Sequence, residues 1–154
     1  GTALAAVLEG ARPILVEVQA LTVPTPFGYP KRTSSGIDLQ RLHILLAILE
    51  SRTNASFAAF DVFVNVVGGY KIQDRAADAA ICMALLSAAS GVALPAKQTF
   101  YGEVGLTGEI RSVVQAKRRS DEVVRLGYEP MPDTRLVRDL GRHFGLLSSR
   151  KGRS

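Results

Sequence analysis

The order of hydrophobic patterns along this chain predicts an α/β sandwich, a mixed β-sheet packed by helices. Three observations point there. Two alternating, β-branched runs open the chain. Two helix-length apolar runs then flank a third strand-like run. A glycine-bounded hairpin follows, leading into a charged helix. The 154 residues fit one domain, and an apolar share of 47% supports a buried core. No apolar run approaches the ~18 residues that a bilayer crossing needs.

Residues 2–8 and 14–22 read as strands joined by Glu9-Gly-Ala-Arg-Pro13. In the second, Leu15, Glu17 and Gln19 alternate with Ile14, Val16, Val18 and Ala20, the pattern of a half-buried strand. Pro24, Pro26, Gly28 and Pro30 then impose a loop. Asp38 is placed to cap a helix that runs to Arg52, with Leu39, Leu42, Leu45, Leu46 and Leu49 on its inner face. Residues 61–67 form a strand stopped by Gly68-Gly69. Asp74 caps a helix over 75–90, closed by Gly91. That helix is nearly all Ala, Leu, Ile and Met, with Asp78 its only interior charge, so it is expected inside. Strands at 99–104 and 108–113 flank the turn Gly105-Leu-Thr-Gly108, where glycines permit positive φ. Helices over 115–126 and 134–144 complete the pattern, giving a domain over 1–146 and a disordered basic tail over 147–154.

Composition narrows the chemistry. The net charge is +5, but Arg150-Lys-Gly-Arg153 holds three basic residues; without it, sixteen basic residues face fourteen acidic ones. Only local clusters therefore argue for a polyanionic partner. The single cysteine, Cys82, excludes an internal disulfide and a cysteine-rich zinc site, and its apolar neighbours place it in the core. No phosphate-binding loop, Gly-x-Ser-x-Gly elbow or His-Glu-x-x-His helix occurs, and His43 and His143 lie on separate helices. No metal site is expected. The amino end lacks the basic start of a signal peptide, so a cytosolic protein is expected. Its start within a strand-like run suggests a domain cut from a longer chain.

Four segments at their mutual spacing carry a resemblance: Leu15–Ala20, Phe27–Asp38 with Gly28-Tyr-Pro-Lys-Arg-Thr-Ser-Ser-Gly36, Val67-Gly-Gly-Tyr-Lys-Ile-Gln-Asp74, and Gly102–Arg111. Together they are similar to the C-terminal Lon-protease-like domain of the bacterial RadA (Sms) DNA-repair family, over roughly residues 2–128. The resemblance implies a Lon-proteolytic-domain-like fold. Lon-type peptidases pair a serine, in Asp-Gly-Pro-Ser-Ala-Gly, with a lysine of lowered pKa. The matching stretch here is Asp74-Arg-Ala-Ala-Asp-Ala79, so Ala77 stands at the nucleophile position. Lys117, nine residues after Gly108, matches the dyad lysine. Ser87 and Ser90 lie on the same helix but ~15 Å or more along it, too far to substitute. The expectation is a domain with no catalytic residues, and the alternative a Ser/Lys peptidase or its remnant.

The resemblance also implies partners: single-stranded or branched DNA, a homo-oligomeric ring, expected as a hexamer, and possible recombinase and replication proteins, with no membrane. It implies a bacterial cytoplasmic protein or an organellar relative. No cofactor is expected in this chain, because ATP, magnesium and zinc belong to the family's preceding domains. The candidate DNA-binding residues are Lys31 and Arg32 in a glycine-flanked loop, Lys71 after the Gly-Gly turn, Arg111 on the hairpin, and Lys117, Arg118 and Arg119 opening a helix. The bland reading of each is a solvated surface charge; for 117–119 it is also a set kept for a partner's carboxylates. There is no aromatic interleaving around these sites to suggest base stacking, so contact is expected through the DNA backbone alone.

Overall fold

The computed structural model describes residues 1–148. β1 (Thr2–Glu9) and β2 (Arg12–Pro24) form an antiparallel hairpin in register from Thr2↔Gln19 to Glu9↔Arg12. β3 (Arg32–Ser35) lies parallel to β4 (Phe60–Val66), which runs antiparallel to β2. β5 (Thr99–Phe100) lies parallel to β1, giving a mixed sheet of order β3-β4-β2-β1-β5. The alternation read from the sequence decides which face is covered. Ala3, Ala5, Val7, Val16, Val18, Val62, Val64 and Val66 all join one core cluster, with α1 (Leu39–Arg52) and α2 (Asp78–Ser90). On β1 the intervening Ala6 instead joins Tyr101 and Val123 in a second cluster, beneath α3 (Ala116–Arg125). The fold class is the α/β sandwich expected.

Local chemistry explains the helix starts. The Asp38 carboxylate accepts from the Arg41 N–H at 3.1 Å, as an N-cap should. Asp74 does the same for the Ala76 N–H at 3.0 Å, but the segment it caps is a 3-10 turn, Arg75–Ala77, from which α2 continues. α2 ends at Gly91, whose φ of +73° suits a left-handed cap.

The structure departs from the sequence reading in several places. Leu39, expected on the inner face of α1, is exposed, because it sits in the first turn beside the Asp38 cap. Residues 32–35 were expected as loop, yet they form edge strand β3; Thr-Ser-Ser carries no apolar alternation, and β4 supplies the backbone bonds. The expected strand over 99–104 is two. Gly102 donates its N–H to the Ala76 carbonyl at 2.8 Å and accepts from the Ala79 N–H at 3.0 Å, which breaks the run. Thr99–Phe100 therefore joins the main sheet, while β6 (Glu103–Val104) pairs with β7 (Ile110–Arg111) in a separate ribbon. In the turn, only Gly108 takes positive φ, +81°; a Cβ at Gly105 would meet only the movable ends of the Glu109 and Arg111 side chains, so the fold does not demand glycine there. Finally, the boundary at 146 moves outward. Leu147 is buried in the main core, and Asn54 Nδ2 lies 2.8 Å from Ser148 Oγ. The rest of the expected tail, 149–154, lies outside the described residues. α4 (Val137–His143), shorter than predicted, places Val137 and Leu140 in the same core, and Phe144 meets Phe100 edge to face at 5.4 Å.

Candidate functional site

Two buried ion pairs frame the start of α2. Asp78, four residues after Asp74, receives Arg41 of α1 in bidentate fashion, with Arg41 Nε at 3.1 Å from Oδ1 and Nη2 bonded to Oδ2. The Val104 N–H donates to the same carboxylate at 3.1 Å, and Arg41 Nη2 donates to the Val104 carbonyl at 3.1 Å. α1, α2 and β6 are thereby tied together. Burial is the strongest influence on Asp78 and raises its pKa, against the pull of Arg41 and the Val104 N–H. The bond to Asp78 outweighs burial at Arg41 and raises the guanidinium pKa. The bidentate geometry favours the charged pair at neutral pH.

The second pair joins Asp74 to Arg119. Arg119 Nη1 lies 2.5 Å from Asp74 Oδ2 and donates to the Ala6 carbonyl at 2.9 Å, while its Nε donates to the Val114 carbonyl at 3.0 Å. The Leu8 N–H completes Asp74 at 2.9 Å. Burial alone would raise the Asp74 pKa; the Arg119 bond and the Leu8 and Ala76 N–H groups outweigh it and hold the carboxyl below its ordinary value.

Ala77 stands between these pairs, 1% exposed, where a cleft of about 260 Å³ opens between α1, α2 and the 72–75 turn. Its methyl group has no nucleophile to offer. Ser87 is buried and donates its hydroxyl to the Val92 carbonyl at 2.6 Å. Cys82 is fully buried, and burial drives its thiol pKa strongly upward, so it stays protonated. Lys117 is 89% exposed and bonds Asp121 at 2.8 Å. That bond raises its pKa, opposite to the depression that a proton-abstracting dyad lysine needs. Among the described residues, no three His, Cys, Asp or Glu side chains gather where a metal ion would be held, and no helix is long and apolar enough to cross a membrane.

The cations singled out in the sequence do not share one patch. Arg119 is fully buried and must be struck from the DNA-binding candidates: its Nε and Nη1 bind two carbonyls and Asp74, and its Nη2 is enclosed without a partner. Arg32 is half-buried: Nη2 donates to the Phe57 carbonyl at 3.0 Å and Nη1 to that of Phe60, so it clamps the loop before β4. Lys31 beside it is exposed. Lys71 is exposed beyond the opposite end of β3, where the Ile72 N–H meets the Gly36 carbonyl at 2.8 Å. Arg111 is 58% exposed on the rim of a second groove and pairs with Glu109 at 2.9 Å. Arg118 and Lys117 are exposed on α3. Sequence reasoning missed the two ion pairs. A lone aspartate in an apolar helix signalled the need for a partner at Asp78, but nothing local identified Arg41.

Fold and site together define an α/β domain in which the polar groups at the start of α2 are bound into structural ion pairs on either side of a buried alanine. No family model matches the chain. It is 44% identical to DNA repair protein RadA of Rickettsia typhi over 128 residues, 83% of this chain and 29% of the relative. It is likewise 44% identical to RadA of Brucella abortus over 128 residues, 83% of this chain and 27% of the relative. RadA of Bacillus subtilis matches at 41% over 131 residues, 85% of this chain and 29% of the relative. The chain is thus homologous to a segment of the DNA repair proteins named RadA, and it spans under a third of their length.

Proposed function

We propose that this chain is the non-catalytic, C-terminal Lon-protease-like domain of a RadA-type DNA repair and recombination protein. Its roles are assembly of a ring, a hexamer by the resemblance, and sequence-independent contact with the DNA backbone during branch migration. The observation that carries the reading is the similarity to RadA proteins across 83% of the chain, joined to an alanine at the nucleophile position. ATP, magnesium and zinc handling is assigned to the part of the relatives that this chain does not span. A peptidase reading is disfavoured by buried Ala77, by the engaged Ser87 hydroxyl and by the solvent-facing, Asp121-bonded Lys117.

Exposed cations at both ends of β3, Lys31 and Lys71, with Arg118 and Lys117 on α3, support contact with phosphates. The test is fluorescence anisotropy of labelled single-stranded DNA over a salt series. Lys31→Ala, Lys71→Ala and Arg118→Ala should each weaken binding uniformly across sequences and flatten the salt slope by ~1. Arg32→Ala is a poor probe, because it strips the Phe57 and Phe60 carbonyls of their donor. Slopes unchanged in all three variants would overturn the backbone contact. A monomer at all concentrations in sedimentation would remove ring assembly by this domain alone.

A further inference from the structure

The loop between β2 and β3 carries two aromatic rings that the fold does not use. Phe27 is 91% exposed and Tyr29 93%, the highest values among the large apolar side chains. They stand one glycine apart in Pro26-Phe-Gly-Tyr-Pro30, immediately before exposed Lys31. A floppy loop would give this little meaning, but the base of this one is pinned. The Thr25 N–H donates to the Ala59 carbonyl at 2.9 Å. The Thr25 hydroxyl and the Lys31 N–H both reach Asp61 Oδ1, at 3.0 and 2.8 Å. Arg32 locks the next residue to the Phe57 and Phe60 carbonyls. Pro26 and Pro30 restrict either side of the tip, and Gly28 supplies the positive φ, +67°, at its centre.

From these observations we infer that Phe27 and Tyr29 form a base-stacking finger that takes unpaired bases of single-stranded DNA while Lys31 meets the adjoining phosphate. The inference rests on the DNA-contact reading above and adds bases to a contact described so far as backbone alone. Stacking on aromatic rings beside a basic groove is the recognised chemistry of sequence-tolerant single-strand binding. Rigid rings with two torsions each lose little freedom on contact. Charge favours nucleic acid over a second copy of this chain, whose own net charge is +5: from Pro24 to Ser35 there are two cations and no acidic residue, and Asp61 at the loop base leaves one positive charge over. On the sheet, Leu21 and Val23 of β2 are also exposed, and Phe63 faces Leu21 across the ladder. Duplex DNA, whose bases are already stacked, offers the rings nothing. The absence of aromatics expected around the basic sites does not hold at Lys31, which Tyr29 and Phe27 precede by two and four residues.

The chain has no tryptophan, so Tyr29→Trp introduces a single reporter at the finger. Its emission should be quenched by oligothymidylate and left unchanged by an abasic oligomer of equal length and charge. Phe27→Ala and Tyr29→Ala should each weaken oligothymidylate binding by ~5- to 100-fold with the salt slope preserved. If the abasic oligomer binds as tightly as oligothymidylate, stacking is overturned and backbone contact stands. If neither binds, both readings fall. Should the double variant Phe27→Ala/Tyr29→Ala change sedimentation but not DNA affinity, the finger is a contact between copies and the inference is overturned.

Discussion

Arg119→Met separates a structural arginine from a DNA-binding one. The native guanidinium makes one charged bond to Asp74 and donates to the carbonyls of Ala6 and Val114. Truncating one partner of a buried ion pair costs ~3–5 kcal/mol. Asp74 is 19% exposed and keeps its bonds from the Leu8 and Ala76 N–H groups, so partial hydration places the expected loss near the lower figure, ~3 kcal/mol. Against a typical total of ~5–15 kcal/mol, that is a large share. Urea unfolding followed by circular dichroism should show a lower midpoint at unchanged slope, and thermal unfolding a Tm about 6–12 °C lower. Lys117→Met, two residues earlier on the same helix but exposed, should stay within ~0.5 kcal/mol of the parent. Asp74→Asn/Arg119→Met should recover part of the loss, because no carboxylate is then left unpaired. An Arg119→Met protein as stable as the parent would refute the reasoning; if it also failed to bind DNA, Arg119 would return to the DNA-binding set.

Two further outcomes follow from the same region. The Asp74 carboxyl has its pKa lowered by folding, so its contribution is fully present above the ordinary value of 3.8 and is lost as pH falls through the lower folded-state pKa. Acid unfolding curves should therefore flatten below pH 3.8 in Asp74→Asn, and a variant as acid-sensitive as the parent would contradict the assignment. Ala77→Ser should restore no peptidase activity and take no label from serine-directed fluorophosphonates, because the Lys117 amine faces solvent and stays protonated. Stoichiometric labelling at residue 77 would show that a general base had been overlooked.

Much of the fold was legible because hydrophobic period and caps agreed. Asp38, Asp74 and Gly91 mark helix boundaries by local chemistry, and the alternation in β2 assigns its faces without reference to any partner. What escaped the sequence depends on distant groups. β3 exists because β4 offers it an edge, and the break at Gly102 arises from bonds to Ala76 and Ala79, over twenty residues earlier. At the candidate site, the alanine at 77 was readable in the string, but the two ion pairs on either side of it were not. Arg119 looked like its neighbours Lys117 and Arg118 in the string, and only the helix phase turns it inward. Phe27 and Tyr29 carry no periodic signal at all; their meaning depends on a loop base fixed by Asp61.

The parallel pairing of β1 with β5 has a consequence for how the chain is made. Leu4 finds its partner Thr99 only after ninety-five further residues have been added. At ~5–20 residues per second, β1 spends about 5–20 s of synthesis with one edge open. α1 and α2 are complete by then, yet the core they share is sealed only when Val137, Leu140, Leu146 and Leu147 arrive. The nascent domain therefore exposes both a sheet edge and an apolar helix face during synthesis, which is the interval when a chaperone or a neighbouring nascent chain has most to bind.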